Sequence, residues 1–255
     1  MTAKPVENSL YQYALALGDD ALVLGHRLSE WSGHAPMLEE DIALSNLALD
    51  LIGQARLFYA YAAEVEGKGR DEDDLAYFRD AREFRNVLLV EQPNGDFAAT
   101  MMRHLLFASF MHPYLEALAR SRDVRLAEIA AKAVKEMAYH VRHSAGWVVR
   151  LGDGTEESHR RIATALIDLW PYTSELLQMD EGEVALVTAG IAVERGEIST
   201  IWKCKLISVF TEAKLAWPPD GTMQTGGRRG LHTEAFGKML AEMQSLARAH
   251  PGVTW

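Results

Sequence analysis

"DLIGQARLFYAYAAEVE", Asp50 to Glu66, is apolar almost all the way round. It reads as one long helix that carries a carboxylate, an amide and an arginine among buried-type residues. "KEMAYHVRHSAGW", Lys135 to Trp147, has the same character. Helices of this kind hold pairs of metal ions in some bundles, so the identity of their polar groups decides both fold and function.

Helical periodicity extends outward from these two stretches, and strand signals are nearly absent. A first helix is predicted over 9–31, with Leu10, Ala14, Leu17, Ala21, Leu24 and Leu28 on one stripe. "SGHAP" interrupts the pattern. Pro36, followed by Glu39, Glu40 and Asp41, suits the first turn of a second helix that runs to Glu66. "GKGRDEDD" is a polar linker, and a short helix is expected over 73–84. "VLLVEQPNGD" reads as an apolar stretch entering a turn. Asp96, Asp123 and Thr155 are predicted caps of the third, fourth and fifth helices. Pro113 predicts a kink or break in the third, and the fifth carries Pro171 inside it. A sixth helix covers 197–217 and a last one 233–250. Two pairs of long helices separated by an excursion predict an all-α chain: a ferritin-like four-helix bundle with additional C-terminal helices, read as a single domain over 1–255.

A ferritin-like di-iron site needs a Glu from each of two helices and a Glu-x-x-His from each of the other two. Of nine histidines, only His159 has an acid three residues before it, Glu156, at a predicted helix start. The third helix, "FAATMMRHLLFASFMHPYL", has no Asp or Glu and offers Arg103 and His104 instead. The first offers Asp19 and Asp20, the second Asp50, the fourth Glu136 with His140 one residue too far on. This set serves iron poorly, so no catalytic residue, metal or cofactor is expected. Asp50, Arg103 and Glu136 are expected to be buried and paired, with Arg27, Arg103 or His140 as the cation for Asp50.

Of the 255 residues 48% are hydrophobic and 24% charged, ordinary for a globular protein. The net charge of -10 argues against nucleic acid as a partner. No apolar run reaches about 18 residues, so no membrane span is expected. The N-terminus has no signal-peptide pattern, and the one cysteine, Cys204, expected in the core, makes no internal disulfide. A cytoplasmic location follows as the expectation. "TGGRRG", 225–230, is either a flexible surface loop or a docking loop in which Arg228 and Arg229 meet an acidic or phosphorylated partner. No nucleophile elbow, P-loop or dinucleotide fingerprint is present.

"LGDDALVLGHRLSEWSGHAP", "LALDLIGQAR", "LLVEQPNG", "AYHVRHSAGWVVRLGDGT" and "TGGRRGLHTEAFGKMLAEMQ" resemble the C-type structural subunits of the bacterial phenylacetyl-CoA epoxidase family, from about residue 8 to Trp255. The resemblance implies a ferritin-like fold and a multicomponent oxygenase. That complex epoxidises the ring of phenylacetyl-CoA with O2 and NADPH-derived electrons from a separate reductase. Iron then sits in a homologous A-type catalytic subunit, which this chain would support along with the other subunits; a homodimer of the chain alone stays open. Catalytic relatives carry an E-A-R-H type motif and an E-x-x-H. The matching stretches here are Gln54-Ala55-Arg56-Leu57 and Met137-Ala138-Tyr139-His140. On that placement Gln54, Leu57 and Met137 replace ligands and only His140 survives, which makes these positions vestigial. Two rivals stand beside this reading: a self-sufficient di-metal carboxylate oxygenase or oxidase using Asp20, Asp50, Glu136 and His140, and a helical acyl-CoA-binding module. "ALVLGHRLSEW" and "LFYAYAAEV" carry more apolar surface than one helix seam needs, which marks them as expected partner-facing segments.

Overall fold

A computed structural model describes residues 3–253, with side chains from residue 7 onward. The terminal residues 1, 2, 254 and 255 of the predicted span, and with them the end of the resemblance at Trp255, lie outside the described residues. In chain order the helices are α1 (Ala3–Ser29), α2 (Leu38–Glu66), α3 (Glu72–Tyr77), α4 (Leu88–Glu91), α5 (Phe97–Leu118), α6 (Val124–Gly152), α7 (Glu156–Leu169), α8 (Glu181–Thr188), α9 (Arg195–Glu212) and α10 (Glu234–Ala249). Short 3-10 turns lie at Ala81–Glu83, Trp170–Tyr172, Ser174–Leu177 and Gly227–Arg229. No strand occurs among the described residues. The fold is all-α and of the ferritin-like class. The described chain divides into two compact units: residues 3–34, 41–93 and 226–253 form one, and 35–40 with 94–225 form the other.

In the first unit α1 and α2 run antiparallel. Gly18 faces the Tyr59 ring and Gly25 faces Ala48, Leu51 and Ile52. The two glycines let the helices approach where a larger side chain would push them apart. The predicted stripe of α1 is real, with Ala14, Leu17, Ala21, Leu24 and Leu28 all buried, although Leu10 is only half-buried. Leu15, Leu22 and Val23 on other faces are buried too, so α1 is enclosed on every side. α10 packs on α3, where Gln244 donates to the carbonyls of Ala76 and Arg79. Phe236 meets Phe84 edge-on at 5.4 Å.

The second unit is built around α5, which packs on α6, α7 and α9. α5 is apolar all round, as expected of a helix with neighbours on several faces. α6 returns antiparallel to it: Phe97 lies 5.0 Å from Trp147, and the His104 and His140 rings are 5.0 Å apart. Asp96, Asp123 and Thr155 cap α5, α6 and α7 by accepting from the N–H of Ala99, Leu126 and Ser158, as their sequence positions foretell. Gly152 ends α6 against Ala213, whose carbonyl would lie 2.2 Å from an added Cβ.

Five expectations change. The sixth helix, expected to reach 217, ends at Glu212, because Lys214 takes a left-handed backbone with φ of 56°. The helix assignment runs unbroken through the buried Pro113, to Leu118. The missing N–H costs one bond of the ladder, and burial against three helices outweighs that cost. α7 stops at Leu169, and Pro171 sits instead in a 3-10 turn, an early position where its missing N–H is harmless. The short helix expected over 73–84 is cut to Glu72–Tyr77 plus one turn. Cys204 is exposed on α9 rather than in the core, because Trp202 and Leu206, to either side of it in the sequence, form the buried face.

Gly227 is the tightest backbone passage in the first unit, since a Cβ there would lie 2.1 Å from the Asn86 carbonyl. Gly227→Ala is expected to lower stability by about 1–3 kcal/mol through forced backbone shifts. Gly53→Ala, with nothing within 4 Å of the added Cβ, should instead be neutral or stabilise α2 by up to about 1 kcal/mol. Urea midpoints of both variants, read by circular dichroism, check the pair.

Candidate functional site

The positions matched to metal ligands sit on α2 and α6. On α2, Gln54 is buried and Leu57 half-buried. On α6, Met137 and His140 are fully buried, one turn apart on the same face. An amide, an aliphatic chain, a thioether and one imidazole supply no anionic charge. Two divalent cations in a dry interior need about four carboxylates to balance them. Among the described residues no group of three or more His, Cys, Asp or Glu comes together to hold a metal ion. Glu156, of the lone Glu-x-x-His, is exposed at the start of α7, and His159 faces the carbonyl of Gly152 at 2.7 Å.

Asp50 and Glu136 are half-buried, not enclosed as expected. Each sits at the boundary of its helix's packed face, where solvent still reaches the carboxylate. Arg103 is buried as predicted and donates to the side-chain oxygen of Asn94 at 2.5 Å. Beside it His104 is fully buried, and neither of its ring nitrogens has a hydrogen-bond partner. Burial, then the neighbouring His140, His143 and Arg103, hold His104 well below the usual imidazole range. His143 meets Glu40 at 2.8 Å.

The strongest polar constellation lies elsewhere, in the first unit, around the two adjacent acids of α1. Asp19 is fully buried. It forms an ion pair with Arg79 and accepts from Tyr59 Oη at 2.5 Å and from the Arg85 backbone N–H at 2.7 Å. Arg79 also lies over the Phe84 ring at 4.0 Å and donates to the carbonyls of Leu75 and Glu83. Burial works against the Arg79 charge, but Asp19 and Tyr59 hold it firmly on. Burial and the Asp19 charge push the Tyr59 hydroxyl well up, so it stays a donor.

Asp20 accepts from the Val87 N–H at 2.8 Å and from Arg228 at 2.6 Å. Burial pushes its carboxyl up, and Arg228 and Val87 oppose that shift. Arg228 further donates to the carbonyls of Ala16 and Arg85. The predicted docking loop is therefore a clamp for Arg228: its guanidinium turns inward because α1 offers a buried carboxylate, and only Arg229 stays exposed. Glu91, fully buried, completes the attachment. It accepts from Asn86, from the Thr233 N–H at 2.6 Å, and lies 2.7 Å from His232 Nδ1. Arg27 donates to the Glu91 carbonyl. The roles of Arg79 and Glu91 were not legible in the sequence, since Arg79 falls in a stretch that read as a short helix and Glu91 in one that read as entering a turn. The two acids mid-way along an apolar α1 were the available signal that buried cations had to exist.

An all-α, ferritin-like chain whose buried α1 acids are engaged in internal pairing defines a class of helical-bundle proteins. Similarity to known proteins narrows the class. A family described as phenylacetic acid catabolic protein matches residues 1–255, and the chain belongs to that family. It is similar to the C-type subunit of the 1,2-phenylacetyl-CoA epoxidase of Escherichia coli (strain K12), with 50% identity over 248 residues, 97% of this chain and 100% of that protein.

Asp19→Ala would leave Arg79 charged and buried with its main counter-charge gone. A loss of about 3–5 kcal/mol is expected, read as a lowered denaturant midpoint; an unchanged midpoint would show that the pair is dispensable. His104 generates a pH dependence. Its pKa is depressed in the folded chain, so the unfolded state alone takes up a proton as pH falls through about 6.5. The unfolded state then binds more protons, and stability falls with pH below that point. His104→Leu should flatten the slope below about pH 6.5 in a series of urea melts.

Proposed function

We infer that this chain is the non-catalytic, structural subunit of a phenylacetyl-CoA epoxidase, that it supports an A-type di-iron catalytic subunit, and that it works in the cytoplasm during aerobic phenylacetate breakdown. The observation that carries the reading is the content of the matched ligand positions: Gln54 and Leu57 on α2 and Met137 on α6 stand where iron needs carboxylates and imidazole. Full-length similarity to a C-type epoxidase subunit supports the same reading. A chain of this kind acts by contact, and its fold need not bring chemistry with it. No helix among the described residues is long and apolar enough to cross a membrane.

The contact surface differs from the expected one. Most of 21–31 and 57–65 is buried or half-buried within the chain's own first unit, because α1 is covered on all sides. On α2 the exposed large apolar positions are instead Leu38 at its first residue and, further in, the pair Ile42, 54% accessible, and Leu49, 65% accessible. Seven residues apart, they share one face. We place the partner contact there, as part of an interface on the order of 2,000 Å² or more, typical of permanent assemblies.

Two measurements test the reading. The chain expressed alone in iron-replete medium should carry only background iron after dialysis; about two irons per chain would make it an enzyme in its own right. Co-expressed with the catalytic subunit, the wild-type chain should co-purify and support epoxidation. The double variant Ile42→Glu, Leu49→Glu should lose both while keeping the wild-type circular dichroism. Full epoxidation by the catalytic subunit and its reductase without this chain would remove the structural role.

A further inference from the structure

Three tryptophans form a continuous ladder in the second unit. Trp202 on α9 is 1% accessible and Trp217, just beyond α9, is 42% accessible. Trp170, half-buried in the 3-10 turn after α7, lies between them. Trp170 is parallel to Trp202 within 4°, with ring centroids 5.8 Å apart. It meets Trp217 edge-to-face at 5.1 Å. The order of burial therefore runs from enclosed to exposed along one chain of touching indoles. Phe110, 6.2 Å from Trp202, and Phe210, 5.8 Å from Trp217, flank it. Phenylalanine is much harder to oxidise than tryptophan, so these neighbours do not divert an electron vacancy from the ladder.

The ends differ in one decisive respect. The Trp202 indole N–H donates to the carbonyl of Leu106 at 3.0 Å. A backbone carbonyl does not take up a proton at neutral pH, so an oxidised Trp202 stays a cation in a dry core, where charge is costly. Trp217 is open to water, which solvates a cation and accepts its N–H proton. An electron vacancy is therefore driven outward.

We propose that Trp202, Trp170 and Trp217 form a relay that carries oxidising equivalents out of the core of this unit to solvent. The oxidant is of the hydroxyl-radical class, as arises when O2 is incompletely reduced. It adds to the Trp202 ring, and the adduct expels hydroxide to leave the Trp202 radical cation, a net one-electron oxidation. Trp170 returns an electron to Trp202, and Trp217 returns one to Trp170. The Trp217 radical cation gives its N–H proton to water. A thiol then delivers one electron and one proton to Trp217, and two thiyl radicals couple to a disulfide. This relay does not depend on the epoxidase assignment.

Cys204, the one cysteine and exposed on α9, allows a test on the full chain. A thiol-reactive ruthenium(II) polypyridyl is attached there and photo-oxidised with a cobalt(III) quencher. Transient absorption follows tryptophan radicals, and peptide mass spectrometry maps oxygenated residues. The expected result is a product concentrated at Trp217 and a radical whose lifetime shortens with added glutathione. Trp170→Phe should abolish the Trp217 product and leave oxidation at Trp202. Trp217→Phe, at the exposed end where folding is least at risk, should move the product inward to Trp170 and Trp202 and lengthen the radical lifetime. Circular dichroism and melting confirm that both variants fold. An undiminished Trp217 product in folded Trp170→Phe, or a wild-type product pattern in which Trp202 dominates, overturns the relay. So does a Trp217→Phe chain whose inner tryptophans stay unoxidised.

Discussion

The Asp19–Arg79 ion pair is the constraint around which the first unit is organised. Both groups are almost fully enclosed, so neither charge has water to fall back on. An isolated buried carboxylate or guanidinium is costly, and that cost is offset only when every lone pair and N–H finds a partner. Asp19 meets that condition with Tyr59, Arg79 and the Arg85 N–H, which come from α2 and from the segment after α3. One carboxylate on α1 thereby specifies where α2 lies and where the chain from Arg79 to Arg85 must run. Asp20, its neighbour, does the same for the Val87 backbone and the far C-terminal Arg228. Such pairs add little net stability over a well-packed apolar core, but they penalise any arrangement that leaves one partner alone. They select one fold among several that burial alone would allow.

That use of acids bears on function. A ferritin-like di-iron enzyme directs its interior carboxylates at metal. Here the interior acids of α1 bind arginines and backbone N–H groups, and the matched positions on α2 and α6 hold Gln54, Leu57 and Met137. Both helices are long and largely apolar. On α2, Ile42 and Leu49 face solvent.

The second unit handles its polar groups differently. α5 brings Arg103 and His104 into an interior without an Asp or Glu among its own buried residues. His104 remains neutral because burial and three neighbouring cationic or imidazole groups all oppose its proton. The aromatic ladder behind α9 joins α7, α9 and the segment beyond, beside the Arg195–Glu183 ion pair that ties α9 to α8.

Local pattern was enough for the long helices, though not for the short α4 and α8. The caps at Asp96, Asp123 and Thr155, the ends of α2 and α10, and the stripe on α1 all follow from short-range rules: one side-chain oxygen per orphan N–H, one apolar face per helix. That 97–115 holds no Asp or Glu, and that positions 54, 57 and 137 are Gln, Leu and Met, was equally legible, because residue type is given directly by the sequence. Burial of individual polar residues was not. Asp50 looked enclosed from its apolar neighbours and is half-buried; Cys204 looked like core and is exposed; Glu91 looked like part of a turn and is sealed inside. Whether a charged residue on a helix faces solvent depends on which neighbours cover that face, and those neighbours come from segments far away in sequence. Arg228 makes the same point most sharply. In the sequence it belongs to a glycine-rich loop with two free cations; in the fold Asp20, more than two hundred residues earlier, turns it inward. The sequence alone determined where the long helices form, because that depends on residues close in the chain. Tertiary structure decided which charges are paired, because a buried pair is settled by the long-range packing that excludes water from it.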